Sequence, residues 1–204
     1  YGLYWFDYQA GYDTVFAEFV WNNSREQEIA LVRGAARAFD RDWGVMITWK
    51  YSNYTGSPYI ESGTELFNDL LLAYNQGAKY AIVFDYPEID SAEYGILKTE
   101  HLAALKQFWN YTNTHGRTNE AYKNTRIAYV LPENYGFGFR SATDTIWGLW
   151  SADSQAAGIY NDVQGLIREN GANFDIVCNN STLVADVKDR YEQLIFWNGT
   201  IIMP

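Results

Sequence analysis

Three acidic side chains lie at or near the ends of predicted strands, the positions from which α/β enzymes usually carry out chemistry, and a fourth lies in a loop after such a strand. Asp7 lies in an aromatic-rich segment and Glu18 follows that segment. Glu61 lies in a later loop, and Asp85 ends the stretch YAIVFD. The carboxyl ends of parallel strands meet at one face, so we expect these groups to converge. Paired carboxyls can cleave a glycosidic bond, because one protonates the leaving oxygen while the other attacks or activates water.

Glu18 and Asp85 are the predicted catalytic residues, and Asp7 and Glu61 are predicted to contact the ligand. Glu18 interrupts the apolar run VFAEFVW, and a buried glutamate is costly without a partner or a purpose. It could instead pair with a structural cation or face solvent. Asp85 follows four apolar residues that predict a parallel strand covered on both faces, although it could simply cap the next turn.

Aromatic residues accompany these acids and indicate a surface for flat ligands. Trp49 and Tyr51 lie at the end of the predicted strand GVMITW, and Tyr86 follows Asp85 directly. Aromatic residues make up 18% of the chain, including 8 Trp and 17 Tyr. Such rings stack on sugars, so carbohydrate is the predicted partner, with core packing as the alternative role.

Other motifs favour neither a cofactor nor a metal. Gly136 to Gly138 is a GxG pattern without a third glycine, which favours a loop and makes a nucleotide-binding domain a distant alternative. His101 and His115 have no second metal ligand at a useful spacing. Cys178 lacks the flanking glycines of a nucleophile elbow and is predicted to be a buried thiol.

Composition excludes several classes of protein. The net charge of −10 repels phosphate backbones, so nucleic acid is not an expected partner. Hydrophobic residues make up 48% of the chain, which supports a packed core. No apolar run approaches the roughly 18 residues of a membrane span. The single cysteine excludes an internal disulfide.

Six sequons of the N-x-[ST] type favour an extracellular or cell-surface glycoprotein. The alternative is that Asn, Ser and Thr simply crowd together in loops. The chain begins at Tyr1, which indicates processing or a piece of a longer polypeptide. The predicted glycosylation sites are Asn22, Asn53, Asn110, Asn179, Asn180 and Asn198.

Strands and helices alternate along the chain, which predicts α/β architecture with parallel sheets. Capping boxes are predicted at Ser24 with Gln27 and at Ser62 with Glu65, and the small residues from Gly34 would allow close packing on a sheet. The elements of the first half are predicted over residues 14–21, 24–39, 44–49, 62–77, 80–85 and 99–112. Those of the second half are predicted over residues 127–131, 155–170, 174–178, 184–191 and 194–197.

The predicted organisation is a first domain over residues 1–115, a polar linker over 116–125 and a second domain over 126–204. Residues 1–13 are expected to form a strand end or a loop. Neither set of strands completes a barrel or a doubly wound sheet, and both would expose strand edges. We therefore expect an upstream part of the same polypeptide, or an oligomeric partner, to complete the fold.

The order of segments resembles glycoside hydrolase family 42, the β-galactosidase-like enzymes. GVMITW, a loop, a helix leading into GAKYAIVFDYPE, and then YGILKTEHLAALKQFW carry the resemblance in the first half. RIAYVLPENYGFGFR through YEQLIFWNG resembles the start of a flavodoxin-like, glutamine-amidotransferase-like domain. The resemblance implies the C-terminal half of a (β/α)₈ TIM barrel, followed by part of a flavodoxin-like doubly wound domain. It also implies a retaining, clan A-like enzyme for β-linked sugars.

One departure from this family leaves two hypotheses open. The family's nucleophilic glutamate corresponds to Thr48 or Trp49 here, and its acid/base glutamate would lie upstream of Tyr1. In the first hypothesis the protein is an extracellular glycoside hydrolase in which Glu18 or Asp85 has taken over a role. In the second it is a non-catalytic cell-surface or structural glycoprotein on a degenerate glycosidase scaffold, which the missing glutamate and the dense sequons favour.

Overall fold

The computed structural model describes residues 2–52, 58–85, 97–117, 125–180 and 190–204. These residues form a mixed α/β structure with two mixed β-sheets and five helices. The predicted α/β class is therefore confirmed. Among the described helices, none combines the length and the apolar character needed to cross a membrane.

The first sheet has β2 (Asp42–Ser52) at its centre, with parallel neighbours on both sides. These neighbours are β1 (Thr14–Phe19) and β4 (Tyr80–Asp85), while the short β3 (Pro58–Ile60) pairs antiparallel with the end of β2. The carboxyl ends of the three parallel strands lie at the same edge of the sheet. This edge carries the predicted site.

Helices α2 (Arg25–Ala38) and α3 (Gly63–Asn75) connect the parallel strands of this sheet. Both begin where the sequence predicts. Ser62 and Glu65 form the predicted reciprocal capping box. The Ser24 hydroxyl accepts a hydrogen bond from the Gln27 main-chain amide at 3.2 Å, but the Gln27 side chain donates to the Phe139 oxygen and does not complete the second box. α4 (Thr99–Thr114) packs beside α3. Local side-chain chemistry thus defines these helix starts.

The amino-terminal segment contains a helix, α1 (Tyr4–Gln9), where a strand end or loop was expected. That prediction was wrong. Tyr4, Trp5 and Tyr8 are buried, so the aromatic residues cover one side of a short helix that packs against α2 and β1. With only six residues, the segment is too short to show a helical period clearly.

The strand β4 forms where predicted, but the described structure does not cover it on both faces. Ile82 and Phe84 are 43% and 38% exposed. They lie in register with Met46 and Thr48, whereas Val45 and Ile47 on the opposite face of the sheet are buried in the core. The apolar run predicts a strand that is buried on both faces. Tertiary packing decides which of these faces the described residues cover.

The second sheet has the strand order β6-β5-β7-β8. Its first three strands run parallel and β8 is antiparallel to β7. The strands span Ile127–Leu131 (β5), Phe174–Cys178 (β6), Gln193–Phe196 (β7) and Ile201–Ile202 (β8). Helix α5 (Ala156–Asn170) joins β5 to β6 and ends at Gly171, as predicted. The helix predicted over 184–191 and the linker over 116–125 fall largely outside the described residues.

Helix α2 lies between the two sheets and is buried on nearly all sides. Gly34 permits this, because a Cβ atom there would lie 2.3 Å from the main-chain oxygen of Ile176. The predicted close approach of this helix to a sheet is confirmed, and the sheet that it approaches belongs to the second half of the chain.

A buried ionic cluster joins α2 to β6. Arg33 Nε lies 2.7 Å from Asp175 Oδ1, and Arg37 Nη1 lies 2.6 Å from Asp175 Oδ2. The Tyr191 hydroxyl donates to the same Oδ2 at 2.7 Å, and burial, together with this carboxylate, raises the pKa of that hydroxyl. Since Arg33 and Asp175 are completely buried, each charge depends on the other for compensation.

Candidate functional site

Glu18 lies at the carboxyl end of β1 and is oriented by the neighbouring strand. Its Oε1 accepts a hydrogen bond from the Thr48 hydroxyl at 3.1 Å. Glu18 is partly buried, whereas Thr48 is completely buried. Thr48 therefore orients the carboxylate of the predicted catalytic residue Glu18.

A second acidic residue, Glu28, is buried on α2 where the charge of Glu18 affects its pKa. Glu28 is 6% exposed, and its Oε2 accepts a hydrogen bond from the hydroxyl of Tyr4, which is 8% exposed. Burial raises the pKa of Glu28, the Tyr4 hydrogen bond lowers it, and the Glu18 charge adds to the rise. Burial and the Glu28 charge likewise raise the pKa of Tyr4.

Sequence reasoning missed both Glu28 and Tyr4. Glu28 lies in the first turn of α2, where an acidic residue is ordinary because it suits the helix dipole. The two contacting residues are 24 positions apart, so no local spacing connects them. Tyr4 and Glu28 form a buried phenol–carboxyl pair whose pKa values are raised further by the charge of Glu18. A carboxyl with a raised pKa is suited to donate a proton.

Glu61 follows β3 and is 2% exposed. Its Oε1 accepts from Arg25 Nη2 at 3.1 Å, while Oε2 has no hydrogen-bond partner among the described residues. Burial is the main cause that raises its pKa to about 7; Asp69 adds to the rise and Arg25 opposes it. Glu61 therefore titrates near neutral pH, and the ligand contact predicted for it stays a prediction.

Trp49 and His101 pack together, and His101 contacts the main chain of Glu61. Trp49 is 2% exposed, and its ring centroid lies 4.5 Å from that of His101. His101 Nδ1 accepts from the Lys98 amide at 3.1 Å, so Nε2 carries the proton and donates to the Glu61 carbonyl at 2.6 Å. The described structure gives both rings a packing role, and stacking of Trp49 on a ligand stays a prediction.

The remaining predicted site residues are described only in part. The side chain of Asp7 is exposed on α1, and partial desolvation of its carboxyl group raises its pKa. Asp85 is the last residue of β4 and is in register with Lys50 of β2, but its side chain lies outside the described structure, as does that of Tyr51. Tyr86 lies outside the described residues altogether.

The predicted glycosylation sites differ in exposure. Asn22, Asn110 and Asn198 are exposed. Asn179 and Asn180 are partly buried, and Asn53 lies outside the described residues. Exposed side chains are accessible to a glycosylating enzyme.

Two other sequence interpretations can be compared with the structure. Cys178 is 3% exposed, and burial raises the pKa of its thiol to about 12, which confirms a buried thiol. A Cβ on Gly136 or Gly138 would collide with Trp147 or Asp144, so these glycines make room for neighbouring side chains. Within the described ranges, no group of three or more His, Cys, Asp or Glu side chains could hold a metal ion.

Comparisons with known proteins give no family assignment. No family model matches this chain, and it has no significant match among curated proteins or solved structures. The geometry of the strand-end cluster is therefore the basis on which a function is proposed.

Proposed function

We propose that this chain belongs to an extracellular glycoside hydrolase-like protein that acts on carbohydrate. One observation carries the proposal: the carboxylate of Glu18, at the end of a parallel strand, is partly buried and accepts a hydrogen bond from the buried Thr48 hydroxyl. Groups at the carboxyl ends of parallel strands are the usual site of chemistry in α/β enzymes.

The chemistry assigned to this cluster is glycosidic cleavage. Glu28 has a raised pKa and is suited to hold the proton that the leaving oxygen requires. Glu18 is the attacking or base group, and Asp85 is the predicted second catalytic residue from the other side of β2. A carboxyl separation of about 5 Å would give retention and about 6.5–9.5 Å inversion. The family resemblance favours retention.

The proposed fold is the C-terminal half of a (β/α)₈ barrel followed by part of a flavodoxin-like domain. The parallel neighbours β1, β2 and β4 have helices against one face, and the other face carries the exposed Ile82 and Phe84. In a closed barrel this second face would be the interior. The order β6-β5-β7 corresponds to the first three strands of the flavodoxin order 2-1-3-4-5.

The test is hydrolysis of aryl β-glycosides by the native polypeptide that contains this chain. Glu18→Gln should reduce kcat by about 10²–10⁴-fold or more, because it removes the carboxylate but keeps the size of the side chain. Glu133→Gln is the matched control, since Glu133 is exposed and lies in the second half of the chain. Circular dichroism should show the same fold in both variants. Unchanged turnover in Glu18→Gln would remove Glu18 from the mechanism.

The second candidate function is a non-catalytic glycoprotein on the same scaffold. It is favoured by the exposure of Asn22, Asn110 and Asn198, and by Thr48 near the expected nucleophile position. The native mass before and after enzymatic deglycosylation measures sequon occupancy. Glycans at these sites, combined with saccharide binding but no turnover, would favour this candidate over the hydrolase.

A further inference from the structure

The loop of residues 20–23 joins β1 to α2 and lies at the same edge of the sheet as Glu18. Trp21 in this loop has a φ of +51° and is 36% exposed. A bulky residue in the left-handed region is strained, whereas glycine adopts this conformation without steric cost. Strain of this kind persists when the surrounding structure enforces it, and it is concentrated at functional sites.

Arg25 enforces the conformation of this loop. Its Nη1 donates to the main-chain oxygens of Val20 at 3.2 Å, Trp21 at 3.0 Å and Asn23 at 3.0 Å. Three carbonyls of one short loop therefore converge on a single guanidinium nitrogen. Because these bonds act on the main chain, they hold the backbone that carries Trp21.

Two carboxylates and a ring hold Arg25 itself in place. Its Nε lies 3.1 Å from Asp69 Oδ2, and its Nη2 lies 3.1 Å from Glu61 Oε1. The guanidinium carbon lies 5.4 Å from the centroid of the Phe19 ring. All three guanidinium nitrogens are bonded, so the loop is tied to α3 and to the segment that follows β3.

We infer that Trp21 is a saccharide-stacking residue of the site around Glu18, carried on a loop whose backbone Arg25 holds in place. This inference rests on the proposed function. A loop backbone that is held in place before binding loses little freedom when a sugar ring stacks on the indole that it carries. The partial exposure of Trp21 contrasts with Trp49, which is buried against His101.

The first experiment measures the binding of cellotetraose and β-1,4-galactotetraose to the full polypeptide by calorimetry. Glu18→Gln provides the background, because it prevents turnover. In that background Trp21→Ala should weaken binding at least tenfold and Trp21→Phe should weaken it less. Trp109→Ala is the control, since Trp109 is 69% exposed on α4, and its Kd should be unchanged.

The outcomes separate the two proposals. If the Glu18→Gln parent binds neither saccharide, the carbohydrate function fails and this inference fails with it. If the parent binds a saccharide and Trp21→Ala binds equally well, the stacking role is overturned while the proposed function stands.

A second experiment tests the strained loop without any ligand. Trp21→Gly and Trp21→Ala both remove the indole, but glycine accepts the positive φ, so the glycine variant should melt at the higher temperature. Asp69→Asn should accelerate hydrogen exchange in the peptide of residues 19–25, because Arg25 loses one of its two carboxylates. Equal melting temperatures together with unchanged exchange would overturn the role of Arg25 in holding Trp21.

Discussion

Asp175→Asn is expected to be severely destabilising, because it removes the carboxylate that Arg33 and Arg37 share, and Arg33 is completely buried. Asp175 contacts Arg33 at 2.7 Å and Arg37 at 2.6 Å, and it is completely buried. Asparagine has nearly the same volume, so the change removes charge without creating a cavity. Breaking a buried pair by removing one partner costs about 3–5 kcal/mol, which is a large part of the stability of a typical domain.

Urea unfolding followed by circular dichroism measures this effect. With an m-value of about 1–3 kcal/mol per molar, the midpoint should fall by at least about 1 M. Asp42→Asn is the matched control, since Asp42 pairs with Lys79 on the surface and both side chains are about half exposed. Exposed pairs contribute about 0–1 kcal/mol, so that midpoint should move little.

Two results would contradict the reasoning. If Asp175→Asn and Asp42→Asn shift the midpoint by the same small amount, the buried cluster does not depend on charge compensation. If Asp175→Asn unfolds in a single transition of unchanged stability, α2 does not need the cluster to hold the two sheets together. Replacing Arg33, Arg37 and Asp175 together by apolar residues should be milder than Asp175→Asn, because no guanidinium group is then left buried beside a missing carboxylate.

Two further predictions concern Glu61 and Gly34. The pKa of Glu61 is raised from 4.5 to about 7, so the native state holds its proton more tightly than the unfolded state does. Stability should therefore fall as pH rises from about 4.5 to about 7, by up to about 3 kcal/mol before solvent screening, and Glu61→Gln should remove this dependence in pH-dependent urea titrations. A profile of equal slope in that variant would assign the titration to another group. Gly34→Ala should destabilise the protein, because the added Cβ would meet the Ile176 oxygen at a steric cost of about 1–3 kcal/mol. The higher helix propensity of alanine should offset about 1 kcal/mol of this cost. Gly165→Ala in α5, where the nearest atom is 3.9 Å away, should be neutral or stabilising in thermal melts, and equal effects of the two substitutions would contradict the close approach.

Local features of the fold were predictable because they arise within a few residues. Ser24 and Ser62 cap helices that begin directly after them, and Gly171 ends α5 with a positive φ. Apolar runs located β1, β2 and β4. Each of these signals depends on backbone geometry or hydrogen bonds within one turn or one strand.

The candidate site was predictable only in part. The interruption of an apolar strand singled out Glu18, and the structure places its side chain against Thr48. The partnership of Glu28 with Tyr4 had no local signal, because the residues belong to different helices. The pairing of Arg33 with Asp175 had no local signal either, because the two residues lie 142 positions apart.

The sequence by itself determined the alternation of strands and helices, the positions of helix caps and the presence of a carboxylate in β1. Tertiary structure decided which carboxyls meet at the strand ends and which ring is buried. It also decided that α2 lies between two sheets. The physical reason is that periodicity and capping act over single turns and strands, whereas desolvation and charge pairing depend on groups that only folding brings together.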